Sequence, residues 1–295
     1  MTEWTGVAGR RVVITGGTGG IGLAAAEELG RRGAAVTVVG HSEERAAAAA
    51  AQIAEAAPEA PPAEYAVADL RLQTEVRRLA ADLQERYRVI DVLVNNAGAM
   101  FARRQVTAEG FEATWALNHL APFLLTALLV DRMKQHPPAR IVTTASAAHQ
   151  PARIPFDDLG AERSYRNRGY ARYGETKLAN ILFTAQLAEF LEGSGVTAYC
   201  YHPGLVATGF NMGNGPFMRL TMRAIKPFSR SPEEGADTLV WLADAPEVAG
   251  ESGGYFVDRQ RVLPSAAAQD MGTARHLWEL SSRQTSAPRA DPRSA

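Results

Sequence analysis

Arg11-Val12-Val13-Ile14-Thr15-Gly16-Gly17-Thr18-Gly19-Gly20-Ile21-Gly22 is a β-branched run that breaks into glycines and resumes at helical spacing. Val12 to Ile14 suit a strand buried on both faces. Ile21 to Arg32 reads as the helix that follows. Glycines between a strand and a helix let the backbone approach a pyrophosphate, which then rests on the helix N-terminus. Three registers fit the loop: Gly17-x-Gly19-x-x-Gly22, Gly16-x-x-x-Gly20-x-Gly22 and Gly16-x-x-Gly19-x-x-Gly22. A bare tight turn is the competing reading, and the strand–loop–helix context favours a dinucleotide.

The same alternation continues outward. Ala35 to Val39 is a strand and Glu43 to Ala56 an alanine-rich helix stopped before Pro58. Glu64 to Ala68, Val89 to Val94, Arg140 to Thr144 and Val196 to Tyr201 are the later strands. Gln73 to Arg86, Glu109 to Gln135 and Tyr170 to Leu191 are the later helices. Strict βαβα order with continuous Val/Ile strands predicts an α/β fold: a doubly wound parallel sheet of the Rossmann type, with helices on both faces. The chain has 295 residues, which by length alone suggests two domains; open α/β folds often reach this size as one. No repeat or interior linker divides it. The expectation is one dinucleotide-binding domain over 1–284 and a disordered Pro/Ser/Arg-rich tail over 285–295.

Composition excludes several classes. With 46% hydrophobic and 21% charged residues the chain can bury a core, so wholesale disorder is out. A net charge of -1 gives no basic field for nucleic acid. The single cysteine, Cys200, rules out an intrachain disulfide and a thiolate zinc or iron–sulfur centre, and no metal is expected. The N-terminus lacks a signal-peptide profile. The apolar stretch Leu117 to Val130 holds Asn118, His119 and Pro122 and is too short to span a bilayer. A soluble cytoplasmic protein is expected.

Where the second strand ends, the sequence reads Val39-Gly40-His41-Ser42. A dinucleotide site selective for NAD places an acid there to hold the ribose 2′-hydroxyl. Glu43 and Glu44 come later and complement the helix dipole. Without the acid a 2′-phosphate is not repelled, and His41, Ser42 and Arg45 are candidate contacts. NADP is therefore favoured, with NAD as the alternative.

Tyr173 and Lys177 lie four apart on a helix and share a face. Of 31 cations only Lys134, Lys177 and Lys226 are lysine, so lysine at this place is informative. It offers a compact charge that an arginine fork does not reproduce. An ammonium beside a phenol favours the phenolate and is expected to lower the tyrosine's pKa. Taken alone, the pair also reads as a surface contact.

Together, Thr15–Gly22, Asn95-Asn96-Ala97-Gly98, Asn118, Ser146 and Tyr173–Lys177 resemble the short-chain dehydrogenase/reductase family. The resemblance runs from about Gly9 to Ser282 and selects the Gly16, Gly20, Gly22 register. Leu117 to Phe123, Ile154 to Leu159, Lys177 to Asn180, His202 to Gly204, Ser231 to Ala236, Gly254 to Phe256 and Leu277 to Ser281 are similar to the retinol dehydrogenase and protochlorophyllide reductase group. The resemblance implies hydride transfer between a nicotinamide and a carbonyl or alcohol. Tyr173 would be general acid or base, and Lys177 would tune it and bond the nicotinamide ribose. Ser146 would polarise the substrate oxygen, and Asn118 would hold a water serving Lys177. Gly16, Gly20, Ile21 and Gly22 would wrap the pyrophosphate, and Asp69 and Leu70 would face the adenine. Asn95, Ala97 and Gly98 would line the adenosine ribose. Pro203, Gly204, Val206 and Thr208 would hold the nicotinamide. The chain departs from the pattern in Ala145 before Ser146, His41 where arginine is common, and a loop without a basic residue near Gly19.

Other residues read two ways. His149 either touches substrate or holds a loop. His202 and Cys200 read as structural, and Asp157 and Asp158 as loop-forming. The segment about 209–230 would be a substrate lid, with Phe217, Leu220 and Met222 facing a lipophilic molecule. Its basic, amphipathic pattern also fits a membrane surface, a reading given less weight. Arg219 and Arg223 would meet an anionic group if the substrate has one. The leading function is an NADP(H)-dependent oxidoreductase for a medium-sized lipophilic carbonyl or alcohol, such as a secondary-metabolite intermediate. The alternative is a silent dinucleotide-binding regulator. A homodimer or homotetramer through the two long helices is expected.

Overall fold

A computed structural model describes residues 3–206 and 229–287. Its single sheet has eight strands in the order β3-β2-β1-β4-β5-β6-β7-β8. They are β1 (Arg11–Thr15), β2 (Ala35–Gly40), β3 (Glu64–Val67), β4 (Val92–Asn95), β5 (Ala139–Thr144), β6 (Val196–His202), β7 (Tyr255–Val257) and β8 (Gln260–Val262). The order reverses between β1 and β4, where the C-terminal strand ends open a crevice for a ligand. Helices are α1 (Gly20–Arg31), α2 (Glu43–Ala56), α3 (Gln73–Arg86), α4 (Ala121–Lys134), α5 (Tyr170–Phe190), α6 (Pro232–Asp244) and α7 (Met271–Thr285).

The strands read as unbroken apolar runs because both faces are covered. Alternate residues of one strand enter opposite cores. Val13, Val39, Leu93 and Ile141 pack with Leu79, Leu83, Leu129 and Phe183 of α3, α4 and α5. Val12, Val38, Val94 and Val142 pack with Leu29, Ile53 and Leu239 of α1, α2 and α6. A third cluster, including Trp115, Leu120, Leu178, Cys200, Tyr255 and Leu277, closes the end near α7.

Four expectations are corrected. The sheet is not wholly parallel: β8 returns antiparallel along β7. The fourth strand begins at Val92, not Val89. The helix expected from Glu109 begins only at Ala113, because Glu112 caps it by accepting from the Thr114 and Trp115 amides. Glu109 instead accepts from Gln73 and Thr74 at the start of α3. Ala116–Leu120 is then a π-helical turn leading into α4. At the C-terminal end α7 continues through Thr285, which is buried, so the first residues of the expected tail are helical or described; 288–295 lie outside the described residues. By length and hydropathy the continuous stretch Ala113–Lys134 is apolar enough to cross a membrane, but 83% of its most apolar 18-residue window is buried inside the fold, the position of a core helix.

Candidate active site

The glycine turn is shaped by contacts that tolerate no side chain. Gly16 has φ +67, and a Cβ on it would stand 2.8 Å from the Ala97 Cα. A Cβ on Gly22 would run into the Gly16 carbonyl, so the third glycine sets how closely α1 meets the turn. Two residues that sequence reasoning left without a role pin this turn to β4. The Thr15 hydroxyl donates to Val94 O at 3.1 Å and accepts from the Asn96 and Ala97 amides at 3.0 and 3.1 Å. The Asn96 side-chain Nδ2 donates to Thr15 O at 3.2 Å and to Gly16 O at 3.4 Å. Asn96 was visible within the Asn95–Gly98 motif; the signal was there without its geometry. α1 starts with no side-chain cap and no acid in its first turn, leaving N–H donors for an anion. The cradle fits a dinucleotide pyrophosphate.

Ile21 reaches the same end of the sheet as Val206: both lie against Gly235, where a Cβ would stand 3.2 and 2.6 Å from them. Gly204 has φ +81 and is covered by Arg230, whose amide donates to Leu205 O and whose guanidinium pairs with Asp258. Arg230 and Gly235, at the approach to and within α6, thus hold the segment after β6, which Pro203 begins. Thr208, Phe217, Arg219, Leu220, Met222 and Arg223, and all of the expected lid except Ser229 and Arg230, lie outside the described residues.

Where the adenosine was expected, Leu70, Asn95 and Ala97 line one small cavity with Thr15, Leu117 and Pro122. The Asn95 side chain turns toward α4, donating to Thr126 Oγ1 at 3.0 Å. Asp69 is gripped by Arg71, which holds its carboxyl below the usual range. His41 is exposed. Ser42 caps α2. Glu43 accepts from the Tyr65 hydroxyl at 2.9 Å. Arg45 reaches the glycine turn: its Nη2 donates to Thr18 O at 3.4 Å and stands 3.2 Å from where a Cβ on Gly19 would be. A cation therefore sits in the loop that the sequence showed as all small.

The four expected reactive side chains converge from three elements. Lys177 Nζ lies 5.4 Å from the centroid of the Tyr173 ring and donates to Thr144 O at 2.9 Å. The Tyr173 phenol shares a hydrogen bond with the Ser146 side chain, which projects just beyond β5. A Cβ on Gly98 would stand 3.3 Å from Asn118 Oδ1 and 3.6 Å from Lys177 Nζ, so Gly98 leaves this corner open. Asn118 accepts from the Ala99 amide and donates to Ala99 O, both at 2.9 Å, and donates to Thr176 Oγ1 at 3.1 Å. Its side chain is fully used in tying the loop after β4 to α5. Pro122, which has no N–H, cannot supply the Asn118 carbonyl with an α-helical donor; π turns of this kind occur at functional sites.

Charge behaviour differs from the expected acidified phenol. Burial pushes the Tyr173 phenol up, against a smaller opposite effect from Ser146. Burial pulls Lys177 down to about 8, with Cys200 opposing. Spacing reveals the lysine's charge but not the desolvation, which dominates both groups. At neutral pH the phenol keeps its proton and the lysine keeps its charge.

The remaining candidates are structural. His149 is buried; its Nδ1 meets Ser146 O at 2.7 Å and its Nε2 accepts from the Ser265 amide, so it latches the loop carrying Ser146. His202 is buried enough to lie near 4. Burial raises the Cys200 thiol to about 12, leaving it unreactive. Asp158 accepts from the Glu162 amide and Asp157 pairs with Arg163, as loop residues should. Sequence reasoning missed one ionic cluster. Arg172, beside Tyr173, donates to Glu112 at 2.9 Å, to Glu175 at 3.0 Å and to Leu159 O, and lies over the Trp115 ring. It joins α5 to the turn that leads to Asn118.

The sequence pattern of the short chain dehydrogenase family matches residues 10–158. A protein of Streptomyces sp. (strain C5), DnrU, named as a candidate daunorubicin C-13 ketoreductase, is 42% identical over 281 residues, covering 95% of this chain and 94% of its own. Human retinol dehydrogenase 12 is 38% identical over 275 residues, covering 92% of this chain and 85% of its own. Among solved structures, the Pseudomonas aeruginosa RhlG/NADP active-site complex aligns with TM-score 0.68 and 27% identity, covering 87% of this chain and 97% of that one.

Proposed function

This chain belongs to the short-chain dehydrogenase family, as an oxidoreductase of alcohol and carbonyl groups with a nicotinamide dinucleotide, and on that premise we propose that it reduces the ketone of a medium-sized lipophilic substrate with NADPH. The observation that carries the proposal is the convergence of three side chains: the Lys177 ammonium stands 5.4 Å from the centre of the Tyr173 ring, and Ser146 lies beside the phenol.

A carbonyl oxygen gains negative charge as its carbon is reduced, and a phenol that still holds its proton can deliver it there. Ser146 would donate a hydrogen bond to the same oxygen and so stabilise the developing charge. Held by its pyrophosphate in the glycine cradle, a bound reduced dinucleotide would supply the hydride from its nicotinamide. Lys177 would hold the ribose and keep positive charge beside the phenolate that Tyr173 becomes. The Asn118 turn would lead a replacement proton toward Lys177. Gly16, Gly20, Ile21 and Gly22 would carry the pyrophosphate, and Leu70, Ala97 and Gly98 would pack along the adenosine. Asp69 would mark the adenine end. Pro203, Gly204, Val206 and Thr208 would support the nicotinamide.

Arg45 beside the glycine turn, the uncharged or basic His41 and the diversion of Glu43 to Tyr65 support a 2′-phosphate. Retinol and daunorubicin, the compounds in the relatives' names, are far larger than a simple aliphatic carbonyl, which supports the size class. The test is a panel of ketones and aldehydes of graded size, with NADPH or NADH consumption as readout. Turnover of larger apolar ketones with NADPH is expected. Turnover confined to small polar carbonyls, or faster with NADH, would reject the proposal.

A further inference from the structure

Behind Lys177 lies a buried polar chain that the proposed reaction does not use directly. The Thr144 carbonyl receives two donors, Lys177 Nζ at 2.9 Å and Asn180 Nδ2 at 3.3 Å. A carbonyl can only accept, so the atom of Asn180 that faces it must be nitrogen. The Asn180 oxygen therefore points away, and it is buried with no hydrogen-bond partner of normal length. His119 Nδ1 is likewise buried and unpartnered. The two side chains are neighbours: Asn180 favours the protonated ring of His119, while burial holds that ring neutral, near 3. The other ring nitrogen, Nε2, meets Ser281 Oγ of α7 at 2.8 Å. His119, Asn180, Lys177 and Ser281 are all at most 2% exposed. Trp115, Phe123 and Phe183 surround the imidazole and fix its plane.

We propose that His119 and Asn180 are positioning residues for Lys177. The His119 ring, anchored by Ser281, carries its proton on Nδ1 and directs it at the Asn180 oxygen. That fixes the Asn180 amide with its nitrogen toward Thr144. The shared carbonyl then holds the lysine ammonium at one place on α5 while only half committed to it. Through Ser281 the same chain makes the packing of α7 felt at the lysine. The groups facing Lys177 are Tyr173 on its own helix, Cys200 and His202 on β6 and Asn118 on the π turn; none of them replaces Asn180 at Thr144. The inference deepens the proposed reaction and rests on it only for the catalytic consequence.

The test uses the full chain without dinucleotide, labelled with 15N at histidine and lysine. Only three lysines need to be assigned. In the wild type, His119 is expected as the Nδ1–H tautomer. His119→Phe keeps a ring but removes the donor; it should move the Lys177 titration midpoint by about half a unit. It should also lower kcat by about tenfold with dinucleotide Kd within about twofold. His119→Asn loses ring packing but restores a donor at the Nδ1 position, and should return the midpoint toward wild type despite a lower Tm. Ser281→Ala, which disturbs the core least, should shift Lys177 in the same direction by less. An Nε2–H tautomer, an unmoved Lys177 midpoint in both His119→Phe and Ser281→Ala, or losses that follow only the fall in Tm would overturn the proposal. If the midpoints move as expected while wild type turns over no carbonyl, the positioning stands and the reductase reading fails.

Discussion

Lys177 donates to the carbonyl of Thr144, the last residue of β5, at 2.9 Å. That bond ties the helix carrying Tyr173 to the strand end from which Ser146 projects. The phenol and the ammonium are therefore held against one corner of the sheet, beside the loop that carries Ser146. Hydrogen bonds to a buried charge are worth more than neutral ones, about 1.5–3 kcal/mol, so the corner resists displacement.

Tyr173→Phe removes the proton and keeps the ring. Turnover should fall by about 10²–10⁴-fold, the usual contribution of a positioned acid. Dinucleotide affinity should stay within about twofold, because the phenol would contribute only its proton to the reaction. Tryptophan fluorescence titration and steady-state rates measure the two quantities separately. Turnover within tenfold of wild type would remove Tyr173 from its assigned place.

The depressed lysine makes a prediction for stability. An unfolded chain keeps the Lys177 proton to about 10.5, while the folded chain releases it near 8. Between those values the unfolded state binds more protons, so stability rises with pH. Cys200 works the other way above 9, since its folded value is raised to about 12. Lys177→Met removes the first effect and leaves most of the second, because burial rather than the lysine is the main cause of the Cys200 shift. Wild type should gain on the variant by up to about 1.4 kcal/mol per pH unit between pH 8 and 10. Urea midpoints at pH 7, 8, 9 and 10 would show it; parallel curves would mean that the lysine is not desolvated.

β1, β2 and β4 were legible because Val and Ile runs covered on both faces leave an unbroken apolar signature. β8 was not, since Gln260-Arg261-Val262 carries no such pattern and its place depends on β7. Tyr173 and Lys177 could be paired from a four-residue spacing. The burial that raises one and lowers the other could not, because desolvation is set by packing from α7 and β6. Nor does sequence show Glu112 meeting Arg172, sixty positions away. The π turn left a trace in Pro122, which denies Asn118 an α-helical bond, but that trace also fits an ordinary helix start.

The Glu112–Arg172 pair is almost fully buried, with side chains 0% and 1% exposed. Removing one member strands a charge, which costs about 3–5 kcal/mol. Arg172→Met should therefore be strongly destabilising, leaving the Glu112 carboxylate with neutral partners such as Thr114 and Trp115 and no cation. Adding Glu112→Gln removes the stranded charge, so the double variant should be more stable than the sum of the two single losses. A coupling energy above about 1 kcal/mol in urea unfolding is expected. Additive losses would mean that the two groups act independently.

The proposed preference for NADPH would turn on Arg45, whose guanidinium lies on the Thr18 carbonyl inside the glycine turn. A 2′-phosphate there would gain a charge-assisted contact from a planar donor. Arg45→Ala should weaken NADPH binding by about tenfold, equal to roughly 1.4 kcal/mol, and leave NADH within about twofold. His41→Asp tests the same point from the other side: a carboxylate at the end of β2 should repel the phosphate and accept from the ribose 2′-hydroxyl of NADH. Combined, the two changes should reverse the preference. The Kd for each dinucleotide, measured at one fixed ionic strength because screening weakens exposed charges, gives the answer. Equal loss of both dinucleotides in Arg45→Ala would place Arg45 at the pyrophosphate instead, and an unchanged ratio in His41→Asp would put the adenosine ribose elsewhere along the crevice.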